Sequence, residues 1–332
     1  TDIREGTFFG CSSIEDICIP NSVTTIGDGA FCYCSSLQSI DIPGSVTKIA
    51  NGRFTHSHWP PSEFGVGDGL FSGCSALQNI IVSEDNAYFK SIYGVLYNKE
   101  ADTIIKFPNG KNKAIYEIPK SVTRISGYAF GDCTLLRTII IPNSVITIED
   151  HAFENNLSLQ NINIPNSVTK IANGVFLNCS SLEKIEIPNS IQIIENCAFL
   201  GCSALRSIDI PNSVTTIGND AFKGCSSLQS IDIPNSVTTI GENAFEGCEA
   251  LQSIDIPNSV TTIGKNTFDG CSALLNIWVQ KDNKCYASIK GILFSKDLTT
   301  IVKVPIGNKL KNFSIPEGTT IIGSNAFSGC SS

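Results

Sequence analysis

Four carboxylates recur at one fixed interval, and they are the residues of this chain most suited to bind a charged ligand. Glu186, Asp209, Asp232 and Asp255 follow one another at spacings of 23 residues. If they occupy equivalent places on neighbouring strands, they lie about 4.8 Å apart, and like charges in register are unfavourable in a sheet. A cation or a basic partner could offset this cost. The alternative is a solvated acidic face that was duplicated together with the repeat.

Trp278 stands at the next position of the same column, 23 residues after Asp255, in a chain with only two tryptophans. An exposed tryptophan is a typical binding hot spot. The alternative is that Trp278 packs against the segment that follows it. Ile81 has the matching place beside a second segment of the same kind, which favours the packing interpretation.

A second group of candidate residues is His56, His58, Trp59 and Phe64, which lie within an insertion over residues 55–70. Two histidines without a third ligand are a weak indication of zinc, so we predict no metal site and no cofactor. A partner-binding loop is the stronger hypothesis. Its alternative is a solvated insertion with Trp59 and Phe64 folded back on the coil.

Catalysis has little support in the sequence. The only histidines are His56, His58 and His151, and the nucleophile-elbow, zinc-protease and P-loop motifs are missing. The carboxylate row does not resemble a glycosidase pair, because its geometry comes from a repeat and not from a cleft. The sequence therefore predicts a protein that is not an enzyme.

A 23-residue repeat must position these residues. One unit reads LRSIDIPNSVTTIGNDAFKGCSS from Leu205. Leu205, Ile208 and Ile210 predict a short strand with an apolar inner face, and Pro211 then stops ladder pairing. Val214–Ile217 predicts a second short strand, and the spacing of Ala221, Phe222 and Cys225 predicts one helical turn. Since no unit can bury its apolar side chains alone, neighbouring units must stack as a solenoid.

The period is interrupted in three places. Segments 83–117 and 280–314 are two copies of one module, which we interpret as lengthened coils that contain a β-hairpin with a polar turn. The insertion at 55–70 is predicted to form an irregular loop on one face. With these included, we expect one solenoid domain over residues 1–332, with about twelve coils.

Ten of the fourteen cysteines share one repeat position, where Asn156 stands once instead. We predict a buried column of free thiols that behave as small apolar side chains. Cysteine and asparagine can replace each other where a side chain caps the backbone of a turn. The off-register cysteines are better candidates for disulfides: Cys18, Cys32, Cys197 and Cys285.

Composition excludes several classes of partner. The formal net charge is −8, the pI is near 5.0 and no Lys/Arg run is present, so neither nucleic acid nor an anionic membrane is expected to bind. No apolar run approaches the 18 residues of a transmembrane helix, so we expect no membrane insertion in this segment. The chain begins and ends within a repeat, which suggests a piece of a longer protein. Uncapped ends would also permit self-association.

The repeat L-x-x-I-x-I-P-x-S-V-T-x-I-G-x-x-A-F-x-x-C resembles the BspA-like (Treponema-type) leucine-rich repeat over nearly all of the chain. The resemblance implies a curved, right-handed solenoid with a parallel β-sheet on its concave side, a second short strand and a helical turn in each repeat. It also implies an extracellular or cell-surface location, where adhesion is the usual role.

Two functions remain open at this point. The first is a non-enzymatic adhesion module that binds a host or microbial surface protein or glycan through the concave sheet and the inserted loop. The second is a structural spacer or stalk within a larger surface protein, with end-to-end stacking of the coils. Fold alone does not decide between them.

Overall fold

The computed structural model describes residues 1–50, 69–308 and 312–330. The chain divides into two compact units, Thr1–Leu159 and Gln160–Ser332. Both consist of short strands joined by turns, and the predicted leucine-rich-repeat solenoid with parallel strands is confirmed.

The described residues of the first unit form twelve strands. They are β1 (Asp2–Ile3), β2 (Thr25–Ile26), β3 (Ser39–Ile42), β4 (Lys48–Ile49), β5 (Asn79–Val82), β6 (Phe89–Ile92), β7 (Val95–Asn98), β8 (Thr103–Lys106), β9 (Ile115–Glu117), β10 (Arg124–Ile125), β11 (Thr138–Ile140) and β12 (Thr147–Ile148). Parallel ladders join β1 to β2, β2 to β4, β3 to β5, and β9 to β11. Strands β6, β7 and β8 form an antiparallel meander, and β8 continues in parallel to β10 and β12.

In the part of the second unit that the structure describes there are fourteen strands. They are β13 (Asn161–Ile162), β14 (Lys170–Ile171), β15 (Ile193–Ile194), β16 (Ser207–Asp209), β17 (Thr216–Ile217), β18 (Ser230–Asp232), β19 (Thr239–Ile240), β20 (Ser253–Ile256), β21 (Thr262–Ile263), β22 (Asn276–Val279), β23 (Tyr286–Ile289), β24 (Ile292–Ser295), β25 (Thr300–Lys303) and β26 (Ile321–Ile322). Strands β14, β15, β17, β19 and β21 form one parallel sheet, while β16 pairs with β18 and β20 with β22. Strands β23, β24 and β25 form a second antiparallel meander, which ends in parallel pairing with β26.

In the regular coils, the side chains of the short strands alternate between the core and the solvent. In the coil of β16 and β17, Ile208 and Ile217 are buried, whereas Asp209, which directly follows Ile208, is exposed. The turn between the strands is also tied to its neighbour, because the Oγ of Ser213 donates a hydrogen bond to the carbonyl oxygen of Ile191 at 2.6 Å. This alternation, which follows from the two-residue period of a strand, fixes which side chains the coil presents to solvent.

A column of phenylalanines fills the core of the second unit. The rings of neighbouring coils are stacked with centroids 5.3 to 6.0 Å apart, over Phe176, Phe199, Phe222, Phe245 and Phe268. Offset stacking at this separation is favourable in addition to the burial of each ring.

The predicted helical turn at Ala221–Cys225 is wrong, and the residues that the structure describes contain no helix. The backbone N–H groups of Asp220, Phe222 and Gly224 donate to carbonyl oxygens of the following coil, at 2.7–2.8 Å. Asp220 and Gly224 also have positive φ values of 53° and 73°. A helix needs those N–H groups for its own i−4 carbonyls, so the bonds between coils replace it with successive turns.

All fourteen cysteines lie among the described residues, and all are free thiols. Eight of the ten repeat-position thiols are buried. Most of the ten donate to the carbonyl oxygen of the phenylalanine one coil earlier, as Cys225 does to Phe199 at 3.2 Å. The predicted column of buried thiols is therefore confirmed. Of the off-register cysteines that were candidates for disulfides, Cys32 donates to the Gly69 carbonyl oxygen at 2.8 Å, and Cys18 is exposed.

Each module begins at a buried asparagine. In the second unit, the Nδ2 of Asn283 donates to the carbonyl oxygens of Pro257 and Val260, and its Oδ1 accepts from the N–H groups of Cys285 and Tyr286. Asn86 makes the same four hydrogen bonds in the first unit. These amides cap the last regular coil and direct the chain into the antiparallel meander.

Candidate functional site

The carboxylates predicted as a site project from the first strands of the second unit. Glu186, Asp209 and Asp232 are directly opposite one another on neighbouring coils, while Asp255 on β20 lies opposite Trp278 on β22. All five side chains are exposed. The isoleucines on either side of each carboxylate are buried and hold its backbone in place, so the strands position the carboxylates on one face.

The charge of this row has little compensation from within the protein. The Nζ of Lys184 is 3.9 Å from Glu186, and both side chains are mostly exposed to solvent. Such a pair contributes little, because water screens it. Among the described residues, no ion pair involves Asp209, Asp232 or Asp255. The row therefore presents carboxylates that a cationic group could approach directly.

Trp278 remains accessible at the end of the row. Its side chain is 46% exposed, although the neighbouring Ile277 is fully buried. In the first unit, Ile81 has the corresponding place opposite Asp41 and is 48% exposed. Both side chains therefore present apolar surface beside a module.

The inserted residues His56, His58, Trp59 and Phe64 lie outside the described residues. The remaining histidine, His151, belongs to the first unit, where its Nδ1 is 2.8 Å from the Oε2 of Glu154 and its ring stacks on Tyr128. Within the described ranges, no group of three or more His, Cys, Asp or Glu side chains is arranged to hold a metal ion.

Two buried lysines were not identified from the sequence. Lys106 is 1% exposed, and its Nζ donates to the carbonyl oxygens of Tyr128 and Gly131 at 3.0 and 2.9 Å. Lys303, which is its counterpart in the second module, donates to the Oδ1 of Asp269 at 2.5 Å. Lys303 and Asp269 line a cleft of about 210 Å³. The only signal in the sequence was that both modules carry lysine at the same place.

The sequence predicts no transmembrane helix in this segment. Among the residues that the structure describes, none forms a helix with the length and apolar character required to cross a bilayer.

The coils of short strands stack on one another, with a column of phenylalanines inside and the column of carboxylates and Trp278 outside. This arrangement defines a leucine-rich-repeat β-solenoid. The chain belongs to the BspA type leucine rich repeat region family, whose model matches residues 1–113, 106–215, 193–309 and 306–332. Proteins of this kind are generally non-enzymatic modules for protein interaction or surface display.

Two solved structures agree with this assignment. A leucine-rich repeat protein from Eubacterium ventriosum is 25% identical, with a TM-score of 0.66, over 88% of this chain and 84% of that one. A leucine-rich repeat protein from Bacteroides ovatus is 27% identical, with a TM-score of 0.56, over 99% and 80%. A leucine rich cell surface protein from Faecalibacterium prausnitzii is 29% identical, with a TM-score of 0.48, over 83% and 62%. No curated protein matches the chain.

Proposed function

We propose that this chain is a non-enzymatic recognition module at the cell surface or outside the cell. It binds a protein or glycan partner through the exposed face of its first strands, together with the inserted residues 55–70. The chain belongs to a family of interaction and surface modules, and this membership supports the proposed role. The observation that carries the proposal is the exposed row of Glu186, Asp209 and Asp232 in register, continued by Asp255 beside Trp278.

The row is unfavourable for the isolated fold, which is why it supports binding. Like charges directly opposite one another destabilise a sheet, and asparagine or serine would serve these exposed positions without that cost. A basic segment of a partner would remove the repulsion as it binds. Trp278 adds an accessible aromatic surface of the kind that anchors interfaces.

The test measures adhesion of beads coated with the chain to epithelial cell monolayers. Changing Asp209, Asp232 and Asp255 together to Asn is expected to reduce adhesion at least about tenfold, because the three carboxylates attract the basic segment of the partner. The matched control removes the same charge from exposed positions outside the row, with Glu242→Gln, Glu249→Gln and Asp282→Asn. This control is expected to adhere normally.

A third variant lacks residues 55–70 and tests the inserted segment. Circular dichroism and urea unfolding must first show that each variant folds as the parent does. Lost adhesion in folded row and deletion variants supports recognition. Unchanged adhesion in both contradicts it and favours a spacer.

A further inference from the structure

The tip of the first module is a two-residue turn that holds a tyrosine at positive φ. Strands β6 and β7 are joined by only Tyr93 and Gly94, whose φ values are 50° and 79°. Two successive positive φ values are those of a type I′ hairpin turn, in which Asn or Gly normally occupies the first position. An aromatic residue pays a steric penalty there, so the fold itself gives no reason for a tyrosine.

The side chain of Tyr93 is also presented to solvent. It is 92% exposed, more than any other large apolar or aromatic side chain in the described part of the chain. A residue that is both strained and solvated indicates a role outside the folded chain.

The turn lies against a lysine that is held in place. A Cβ on Gly94 would collide with Asn79 Oδ1 and lie 3.0 Å from the Nζ of Lys111, so the backbone of the turn packs closely against both side chains. The same Nζ donates to the carbonyl oxygen of Gln78 at 3.1 Å and is 3.4 Å from Asn79 Oδ1. Gln78 and Asn79, at the start of β5, thus hold the Lys111 ammonium group beside the turn of Tyr93 and Gly94.

A second lysine is close to the first. The backbone N–H of Lys113, whose side chain is exposed, donates to the carbonyl oxygen of Lys111 at 2.8 Å. Burial, together with the neighbouring Lys113 ammonium, lowers the pKa of Lys111. Among the described residues, no carboxylate forms an ion pair with either lysine. The two positive charges therefore repel each other without a counterion from the protein.

We propose that Tyr93, Asn79, Lys111 and Lys113, the tip cluster, bind an anionic saccharide. The apolar face of one sugar ring packs on the tyrosine, and its carboxylate or sulfate receives charge-assisted hydrogen bonds from the lysines. Asn79 offers an amide to a sugar hydroxyl. This site lies on a module and not on the acidic row, so it goes beyond the recognition function proposed above.

The second module supplies a matched comparison within the same chain. Its tip has Lys290 and Gly291 in the same turn, with φ values of 53° and 77°. Asn308 stands at the place of Lys111, and its Nδ2 donates to the carbonyl oxygen of Lys290 at 3.2 Å. The backbone is retained but the tyrosine and the ammonium beside it are not, so this tip is expected not to bind.

The experiment titrates the whole chain with a hyaluronan hexasaccharide and a heparin hexasaccharide by isothermal calorimetry. One site per chain is expected for at least one of them, and salt should weaken its binding. Tyr93→Asn and Lys111→Asn are each expected to weaken binding about tenfold, as loss of a charge-assisted hydrogen bond or a stacked ring does. Lys290→Asn should leave the affinity unchanged.

Tyr93→Asn also separates lost binding from lost folding. Because asparagine suits the positive φ of this turn, the urea midpoint of this variant should equal or exceed that of the parent. Weaker binding by a more stable variant cannot come from unfolding.

Three results would overturn the proposal. The first is no binding of either anionic hexasaccharide at roughly 1 mM, where even weak sites are detected. The second is equal binding of neutral chitohexaose or of a hexaglutamate peptide, since the latter would indicate a protein partner. The third is equal affinity in the parent and the tip variants. The row variant with three Asp→Asn changes should bind the saccharide normally, so failure of this site and failure of the acidic row are distinguishable.

Discussion

The Nδ2 of Asn156 lies 2.8 Å from the carbonyl oxygen of Phe130 and 2.7 Å from that of Phe153. Neighbouring coils carry a thiol at this position, and Cys133 in the same unit has its Sγ 3.8 Å from the carbonyl oxygen of Phe107. The amide therefore takes over the capping role of the thiol. Its Oδ1 is buried without a hydrogen-bond partner in the described structure, which partly offsets the gain from its two donor bonds.

Asn156→Cys is expected to change the free energy of unfolding by no more than about 1 kcal/mol, because a weaker donor replaces the amide but the unpaired oxygen disappears. Asn156→Leu should cost about 2–3 kcal/mol, since both carbonyl oxygens lose their donor. Urea unfolding followed by circular dichroism measures both. Equal stability of the two variants would contradict a capping role.

Native thiol labelling should separate exposed from buried cysteines. At neutral pH, N-ethylmaleimide is expected to react with the exposed Cys18 first and to reach Cys202, Cys225 and Cys248 only after denaturation. Burial raises the pKa of these three thiols well above the ordinary value, and the thiolate is the reactive form. Mass spectrometry identifies the labelled peptides. Quantitative disulfides in the denatured, alkylated chain would refute the account of the thiol column.

Alkaline pH should destabilise the fold through the same thiols. Burial raises the pKa of Cys74, Cys133 and Cys271 from 9.0 to about 12. A raised pKa in the folded state gives stability that is present in full below pH 9 and lost as the pH rises towards 12, because only the unfolded chain ionises in that window. The free energy of unfolding should fall by on the order of 1 kcal/mol per pH unit for each thiol.

Urea midpoints between pH 8 and 11 measure this decline. A variant with Cys74, Cys133 and Cys271 changed to Ala should show a shallower pH dependence, although its stability at neutral pH is lower. Cys18→Ala, in an exposed position, should retain the slope of the parent. A midpoint that stays constant in the parent would rule out the linkage.

The buried asparagines that start the modules should be among the most sensitive positions. Asn283→Leu removes four hydrogen bonds of 2.7–3.0 Å and leaves buried carbonyl and N–H groups unpaired, so it should cost about 3 kcal/mol or more. Asn112→Leu is the control, because that side chain is exposed, and its cost should stay within about 0.5 kcal/mol. Thermal unfolding compares the two. Similar losses in both variants would show that Asn283 has no special role.

The sequence by itself determined the repeating part of this protein. The 23-residue period predicted the solenoid and its two short strands, and it correctly placed Ile208 and Phe222 in the core and Asp209 outside. These features depend on the alternation of side chains within a few residues and on the need of each coil for a neighbour. Both can be read from local spacing.

The tertiary structure decided which backbone N–H groups bond to the neighbouring coil. It also decided which side chains lie close together at the modules. The spacing at Ala221–Cys225 suggested a helical turn, but the N–H groups bond to the next coil. Tyr93 and Lys111 are 18 residues apart, and nothing in their spacing joins them. The turn at Tyr93 and Gly94 comes next to Lys111 because the meander folds back on β5, where Gly94 lies close to Asn79 and to the Nζ of Lys111. Contacts of this kind depend on where whole strands pack, which the period of the repeat does not encode.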